Sequence, residues 1–423
     1  MNLTVQTDRT LVREAGKSTR YALLTFTAPD TSRAVTRPPL NVSFVIDRSG
    51  SMGGSKIQLA REAVIQALRM LRATDRFSVI AYDNEIDVVV PSTHATAEAV
   101  RNGTARVKEL EARGNTDLSG GWLKGCEQIA QHLDPEMTAR CLLLSDGLAN
   151  AGIQDHDELA RHSKALAERG IRTSCLGIGD DYDERLLAAI ATASGGHAYD
   201  VEEAVQIPDI LISELGEALE IVAKDVLITV RPGAGMGVTT LNRYPLESKP
   251  DGSVVLSIGD LAARQDVALV FRMKFPSGTA KTAIAASFTA SDARSVLTAP
   301  ETDILWTFAY NSANDAQPRN RQVDHAVAVL YAAAARAEAL EMNRAGRYQD
   351  SGLRLRRTSD KIASYASGDA VLSALVDELR DKDTAELSAP MSSGQTKRSL
   401  SASMHLRLMR EASGKARRKP SSS

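Results

Sequence analysis

The sequence predicts an α/β domain with a doubly wound, mostly parallel sheet. This domain is expected to be inserted in, or followed by, an antiparallel β-sandwich, with a helical hairpin and a disordered tail coming last. Three observations indicate this order. Apolar strands and helical periodicity alternate over residues 40–205, strands without intervening helices follow residue 222, and an Ala-rich helical pattern begins at residue 321. With 423 residues, the chain has room for two or three domains.

The first predicted strand precedes the α/β domain. Residues 19–28, TRYALLTFTA, are rich in Tyr, Thr, Leu and Phe, which favours a strand. This strand has no place in the parallel sheet. We therefore expect the N-terminal strand or strands within residues 1–38 to join the β-sandwich, so that the α/β domain is an insertion.

The α/β domain is predicted over residues 39–215. The run LNVSFVI at 40–46 is typical of a strand that is buried on both faces of a parallel sheet. FSVIAYD (77–83) and IDVVV (86–90) lie too close together for a crossover connection, so they are expected to form a hairpin with one antiparallel edge strand. Two further apolar runs predict strands at CLLLSDG (141–147) and TSCLGIG (173–179).

The sequence pattern changes after the α/β domain, where apolar runs follow one another without helical periodicity between them. Four apolar runs punctuated by Pro and Gly predict an antiparallel β-sandwich over residues 216–312. Ala-rich helical periodicity predicts a helical segment at 318–383. Low aromatic content with many Ser and basic residues predicts a flexible tail at 384–423. This tail is either solubilising, or it is a phosphorylation target or docks on an acidic surface, from which phosphate could release it.

Charge is unevenly distributed along the chain. Residues 397–423 contain eight basic side chains and one acidic side chain, so this segment carries +7 while the rest of the chain carries −9. A nucleic-acid-binding body is usually basic, so we expect no nucleic-acid partner. No run approaches the roughly 18 apolar residues of a membrane helix, so no membrane insertion is expected.

Cysteine usage and the N-terminus indicate a cytoplasmic protein. The three cysteines, Cys126, Cys141 and Cys175, are widely spaced and form no CxxC pair, which argues against a disulfide framework or a structural zinc site. The first residues lack the basic start and apolar core of a secretory signal.

Oxygen-bearing side chains occur in three segments that lie at strand ends or in loops at the same edge of the predicted sheet. Asp47, Ser49 and Ser51 alternate in the turn after the first buried strand, Thr116 precedes a helix in GNTD, and Asp146 ends another strand in SDG. Ligands bind at this edge of an open α/β sheet. Two carboxylates and three hydroxyls form a hard donor set that suits Mg²⁺, Mn²⁺ or Ca²⁺. Two carboxylates alone leave a vacancy that an Asp or Glu of a protein partner could fill.

These segments resemble a known family. DRSGSMGG, GNTDLSGG and LLLSDGLAN are similar to the metal-ion-dependent adhesion site of von Willebrand factor A domains, and GIGDDYDERLLAAIATASGGHAY is typical of the C-terminal third of bacterial members. The resemblance covers about residues 40–205. It implies that Ser49, Ser51 and Thr116 ligate the ion, with Asp47 and Asp146 bound directly or through water. One departure is Arg48 within the motif, a position that is often small or apolar in relatives.

The resemblance also implies that binding is the function and that no reaction is catalysed. The flanking strands are similar to those of bacterial relatives and of inter-alpha-trypsin inhibitor heavy chains. Bacterial relatives are often associated with Ser/Thr kinases or phosphatases. A kinase- or phosphatase-linked bacterial signalling scaffold is therefore the expected context.

Three other interpretations remain open from the residues alone. The Asp and Ser side chains of the first turn can simply cap the next helix. The same ion can serve a metal-assisted hydrolase, although no general base stands out, or the metal site can be empty in a purely structural module. A phosphate-binding P-loop is disfavoured because Lys56 is out of register in GSMGGSK.

Overall fold

The computed structural model describes residues 3–30, 38–293, 295–297, 299–366, 368–408, 410–411 and 415–418. The chain divides into two compact units. One comprises Met1–Asp30 with Val222–Ser423, and the other, referred to below as the α/β unit, comprises Thr31–Ile221. Among the described residues, none of the helices combines the length and apolar character that crossing a bilayer requires.

Three strands open the chain and belong to the first unit, named here the sandwich unit. They are β1 (Thr4–Thr7), β2 (Leu11–Arg13) and β3 (Thr19–Thr27).

The described part of the α/β unit contains six strands and six α-helices. The strands are β4 (Leu40–Asp47), β5 (Arg76–Tyr82), β6 (Ile86–His94), β7 (Thr138–Ser145), β8 (Ile171–Ile178) and β9 (Ala198–Val201). The helices are α1 (Ser55–Met70), α2 (Ala97–Lys108), α3 (Leu118–Ala130), α4 (His156–Glu168), α5 (Glu184–Ser194) and α6 (Ile207–Leu219).

These strands form one sheet in the order β6-β5-β4-β7-β8-β9. All neighbouring pairs are parallel except β5 and β6, which pair antiparallel at the edge. This confirms the predicted hairpin and edge strand. β4 lies at the centre with its eight residues buried, because helices cover both faces of the sheet.

Two apolar cores flank the sheet. Alternate residues of β4, such as Phe44 and Ile46, pack with α1, α2 and α6 on one face. Val45 points to the other face and packs with α3, α4 and α5, together with Trp122. The same second core contains the three cysteines, which are all buried, as the apolar strands around two of them predict.

The sandwich unit resumes after the α/β unit. Its strands are β10 (Ile221–Pro232), β11 (Gly237–Thr240), β12 (Leu246–Ser248), β13 (Val254–Ala262), β14 (Asp266–Lys274), β15 (Ala283–Ser291) and β16 (Thr302–Ala309). They join the N-terminal strands in two sheets, of orders β1-β3-β14-β11 and β12-β13-β10-β15-β16-β2.

Both sheets of this unit share one core. Phe271 of β14 meets Phe288 of β15 edge to face, with ring centroids 5.6 Å apart, and Trp306 of β16 is fully buried. The predicted strand at 19–28 is β3, which pairs antiparallel with β14 over nine residues. The predicted fold class is therefore confirmed: a mostly parallel α/β sheet is inserted into an antiparallel sandwich that helices follow.

Helices complete the sandwich unit. They are α7 (Asn311–Ala316), α8 (Arg321–Arg344), α9 (Tyr348–Ala366), α10 (Ala370–Asp377), a π-helical segment (Glu378–Asp383), α11 (Thr384–Leu387) and α12 (Ser393–Arg407).

The predicted flexible tail at 384–423 requires correction. Its first part is helical, because Ser392 and Gln395 form a capping box that starts α12, and because Met404 is buried while Leu400 packs on the core of α8 and α9. Lys397 and Arg410 are buried, so these two cations do not belong to a free basic tail. Residues 412–414 and 419–423 of the predicted tail lie outside the described residues.

Candidate metal centre

The first loop of the candidate centre begins where β4 ends. Asp47 is the last residue of β4 and is fully buried between the neighbouring strands β5 and β7. Its Oδ1 accepts the backbone N–H of Ser49 at 2.8 Å, and its Oδ2 accepts the hydroxyl of Ser145 at 2.9 Å. Tyr82 O–H lies 3.5 Å from the same Oδ2. These contacts fix the carboxylate and fold the loop back over it.

The two serines of this loop point toward the neighbouring strand end. Ser49 Oγ and Ser51 Oγ are 3.0 Å apart, and Ser51 Oγ donates to Asp146 Oδ1 at 2.7 Å. Asp146 directly follows β7 and is fully buried. The first and third predicted loops therefore meet through direct side-chain contact.

The second loop is attached to the first by backbone hydrogen bonds. Gly50 N–H donates to Gly114 C=O at 3.1 Å, and Arg113 N–H donates to Arg48 C=O at 2.6 Å. Thr116 is 3% exposed, and its N–H donates to Asn150 Oδ1 at 3.0 Å. The next residue, Asp117, caps α3, so the start of that helix fixes the position of Thr116.

The hydroxyls of the second and first loops converge beside Gly147. A methyl group on the Cα of Gly147 would lie 3.4 Å from Thr116 Oγ1 and 3.5 Å from Ser51 Oγ. A glycine at this position therefore leaves a small space that is bordered by oxygen atoms. Together the five predicted residues form the three-loop site: Asp47, Ser49, Ser51, Thr116 and Asp146.

The donor chemistry of the three-loop site fits a hard divalent cation. Its side chains offer only carboxylate and hydroxyl oxygens, the ligands that Mg²⁺, Mn²⁺ and Ca²⁺ prefer. Burial raises the pKa of Asp47 to about 6, and the negative charge of Asp146 adds to this, whereas hydrogen bonds from Ser49 and Ser145 oppose it. The geometry thus places two carboxylates where a positive charge would stabilise both.

One positive charge is already present. Lys56, in the first turn of α1, forms an ion pair with Asp146 Oδ2, and its side chain is 28% exposed. The Cα of Gly179, after β8, borders the same ammonium, because a methyl group there would lie 3.5 Å from Lys56 Nζ. The sequence motif alone did not assign Lys56 to the site.

Arg48, the departure from the family pattern, is used inside the fold. Its Nε donates to Asp83 Oδ2 at 2.9 Å, and its Nη2 lies 2.6 Å from Asp87 Oδ2. Arg113 Nε also reaches Asp83, at 2.8 Å. Burial would raise the pKa of Asp83, but its hydrogen bonds with Glu85 N–H and the two arginines outweigh burial and lower it. The Arg48 side chain therefore ties the first loop to the β5–β6 hairpin, whose Asp83 also binds Arg113, and it does not point at the hydroxyl cluster.

Other polar and aromatic side chains of the α/β unit have structural roles. Asp155 caps α4 by accepting Glu158 N–H at 2.7 Å, and the neighbouring His156 contacts Asp183, which caps α5. Trp122 is fully buried and donates to Thr173 Oγ1, so its role is in packing.

One cluster was missed by sequence reasoning. Potential ligand atoms of His197, Glu214 and Glu217 lie within 4.8 Å of one another. The Glu214 carboxylate accepts hydrogen bonds from Ser174 and Tyr199 and lies 3.1 Å from His197 Nδ1. His197 and Glu214 are 17 positions apart and meet through the packing of α6 beside β8 and β9, so no local motif marks the cluster. The shared hydrogen bonds give Glu214 a structural role within the core.

Comparison with known proteins places this geometry in a family context. The model of the von Willebrand factor type A domain matches residues 41–211. An uncharacterised protein of Synechocystis sp. is 27% identical over 252 residues, which cover 56% of this chain and 57% of that protein. Human inter-alpha-trypsin inhibitor heavy chain H4 is 30% identical over 41% of this chain and 20% of that protein. The chain thus spans less than two thirds of the length of these relatives.

Two solved structures share the fold over most of the chain. A von Willebrand factor type A protein from Catenulispora acidiphila has a TM-score of 0.68 at 20% identity, with 89% of each chain covered. The ArnB paralog VWA2 from Sulfolobus acidocaldarius has a TM-score of 0.62 at 15% identity, with 98% of this chain and 99% of that chain covered. At these identities the likeness concerns the fold.

Proposed function

We propose that residues 41–211, a von Willebrand factor type A domain, bind a protein partner through a divalent cation. Members of this family commonly mediate protein–protein interactions. The cation is held at the three-loop site, and an Asp or Glu of the partner completes its coordination. The observation that carries the proposal is the convergence of Ser51, Asp146 and Thr116 from three separate loops beside Gly147.

Each residue of the three-loop site has a distinct task in this proposal. Ser49, Ser51 and Thr116 offer neutral hydroxyl oxygens directed at one space. Asp47 orients the first loop through the N–H of Ser49 and, with Asp146, contributes negative charge. A bound divalent ion would supply a Lewis-acidic position for an outside carboxylate.

Charge balance explains why an acidic partner suits the site. Two carboxylates and one ammonium, that of Lys56, surround the space. The hydroxyls are neutral, so a divalent cation here retains net positive charge. A carboxylate from another protein is the anion that neutralises it with one more hard oxygen ligand. Mg²⁺ is our first choice, with Mn²⁺ and Ca²⁺ as alternatives of the same ligand preference.

We further propose that the partner belongs to a Ser/Thr kinase- or phosphatase-linked bacterial signalling system and that the chain is a scaffold without catalytic activity. No residue of the described site sits as a general base beside the hydroxyl cluster, since Asp47 and Asp146 are engaged by Ser49, Ser145, Ser51 and Lys56. This supports binding in preference to hydrolysis.

Calorimetry on the full chain tests the metal. We expect Mg²⁺ and Mn²⁺ to bind with one site per chain and to lose this binding in Asp146→Ala. Asp157→Ala, which removes an exposed carboxylate from the start of α4, is the matched control and should bind as the original chain does. Metal binding that is equal in both variants would exclude the three-loop site.

Affinity purification with Mg²⁺ or with EDTA tests the partner. A protein retained only with Mg²⁺, and lost with Asp146→Ala, supports the metal bridge. Equal retention in EDTA and with Asp146→Ala would show the bridge to be wrong. Metal-dependent turnover of phosphoesters that Asp47→Ala abolishes would replace the scaffold with a hydrolase.

A further inference from the structure

A second candidate site lies in the sandwich unit, away from the three loops in sequence. A cavity of about 470 Å³ opens between the β3–β14 ladder and the helices α8 and α9. This volume falls in the range of small-molecule pockets, roughly 300–1,000 Å³. Its wall is dominated by basic and tyrosine side chains, and none of the lining residues is acidic.

Four cations border this cavity: Arg9, Arg272, Arg319 and Lys361. Two buried acids pair with two of these cations but do not line the cavity. Asp8 pairs with Arg9, and Asp324 pairs with Arg319, both acids being 1% exposed. Within the described part of the chain, Arg272 and Lys361 have no acidic partner. The cavity therefore carries a local charge of +2.

Sheet register places the unpaired arginine. Tyr21 of β3 and Arg272 of β14 are directly opposite each other in the antiparallel ladder, so their side chains share the face that the helices cover. Arg272 Nε is buried and has no hydrogen-bond acceptor among the described residues. A buried donor without an acceptor costs free energy, which a ligand oxygen in the cavity would recover.

Aromatic rings hold two of the other cations in position. Lys361 Nζ lies 3.9 Å from the ring centroid of Tyr331, and Arg319 lies 4.6 Å from that of Tyr365. Tyr331 is fixed in turn by a 2.7 Å contact between its hydroxyl and that of Tyr21. The cations are therefore preorganised, which reduces the entropy lost when an anion binds.

We propose that this cavity binds a phosphate monoester group. Such a group carries about −1.5 to −2 charge at neutral pH and three acceptor oxygens, which match a cavity of charge +2 with guanidinium donors. A carboxylate would neutralise only half of that charge. The hydroxyls of Thr19 and Ser364 on the wall supply further neutral contacts to phosphate oxygens.

The group has two natural sources, a small metabolite or a phosphorylated side chain of a protein. Calorimetry on the full chain in EDTA compares glycerol 3-phosphate, a blocked phosphoserine peptide and acetate. EDTA keeps phosphate from reaching the three-loop site through a metal. We expect saturable binding of at least one phosphate ester, at least tenfold tighter than acetate. Tighter binding of the peptide identifies the protein source, and tighter binding of glycerol 3-phosphate identifies the metabolite source.

Two double variants decide whether the cavity is responsible. Arg272→Gln with Lys361→Met should weaken phosphate-ester binding at least tenfold, since two charge-assisted contacts are lost. Arg357→Gln with Lys382→Met removes two exposed cations of the same kinds and should leave binding unchanged. Phosphate esters that fail to bind, or that bind both variants equally, would overturn the proposal. If the first variant does not fold, Lys361→Met alone, on an exposed position, must still weaken binding.

Discussion

Lys56 Nζ lies 2.5 Å from Asp146 Oδ2, so an ammonium occupies one side of the proposed metal centre. Lys56 comes from the first turn of α1, whereas Asp146 directly follows β7, and the pair joins two of the segments that build the site. Any divalent cation that uses Asp146 must share this carboxylate with the ammonium or displace it. The pair therefore sets the metal affinity of the site.

Replacing Lys56 tests this consequence. We expect Lys56→Met to raise the affinity for Mg²⁺ about tenfold, because like charges a few ångströms apart near a surface repel by about 1 kcal/mol or more. Lys124→Met removes a partly exposed lysine of α3 and is the control. Calorimetry on both variants measures the change. Unchanged or weaker Mg²⁺ binding in Lys56→Met would show that the ammonium does not compete with the metal.

Gly147 provides a steric test of the three-loop site. We expect Gly147→Ala to weaken Mg²⁺ binding at least tenfold, because the new methyl group lies within 3.5 Å of Thr116 Oγ1 and Ser51 Oγ. The contacts are ordinary van der Waals distances, so the free energy of unfolding should change little. Gly237→Ala, on an exposed strand of the sandwich unit, is the control. Full Mg²⁺ binding by Gly147→Ala would place the ion elsewhere.

Asp83 is predicted to stabilise the loops that carry the site. Asp83→Asn should lower the free energy of unfolding by about 3 kcal/mol, since it leaves the buried Arg48 guanidinium without its inner carboxylate. Asp87→Asn removes the half-exposed partner of the same arginine and should cost less than about 1 kcal/mol. Urea unfolding of the two variants measures both values, and equal losses would contradict the assignment.

The pH dependence of this contribution has a definite sign. The folded state lowers the pKa of Asp83, so its stabilisation is complete above the unfolded value and disappears as the pH falls through the folded value. The difference in stability between the original chain and Asp83→Asn should therefore be constant near neutral pH and shrink below about pH 4. A difference that grows on acidification would reverse the assignment.

Alanine substitutions at two helical glycines distinguish the effect of close packing on stability from the effect of helix propensity. A methyl group on Gly125 of α3 would lie 2.3 Å from Val45 Cγ2, so Gly125→Ala should destabilise the protein by about 1–3 kcal/mol. A methyl group on Gly216 of α6 meets nothing within 4 Å, and Gly216→Ala should stabilise by up to about 1 kcal/mol. Thermal unfolding compares them. Because α3 positions Thr116, the first variant should also weaken Mg²⁺ binding.

The parallel sheet could be predicted from sequence because its signals are strong and local. Strands such as β4 are continuous apolar runs, and the short link between β5 and β6 excludes a crossover. Strands of three or four residues, such as β2 and β9, were not predicted, since so few residues carry little pattern of their own. Their partners in the sheet stabilise them.

The C-terminal helix α12 was missed for a different reason. Composition dominated the interpretation, and the many Ser and basic residues indicated a tail, although the Ser392–Gln395 capping box was readable in the sequence.

At the three-loop site, the spacing of Asp47, Ser49 and Ser51 was sufficient to predict one loop. The Lys56–Asp146 pair was not predictable, since it depends on how α1 leaves that loop.

The three cysteines allow thiol labelling to monitor one unit of this chain. All lie in the α/β unit, are at most 1% exposed, and are the entire thiol content of the sequence. Burial raises the pKa of Cys175, so its thiol stays protonated and unreactive while the core is closed. An alkylating reagent can thus modify them only during transient opening. The rate of labelling would therefore measure the local opening of the α/β unit. Opening of the sandwich unit would give no signal, because that unit contains no cysteine.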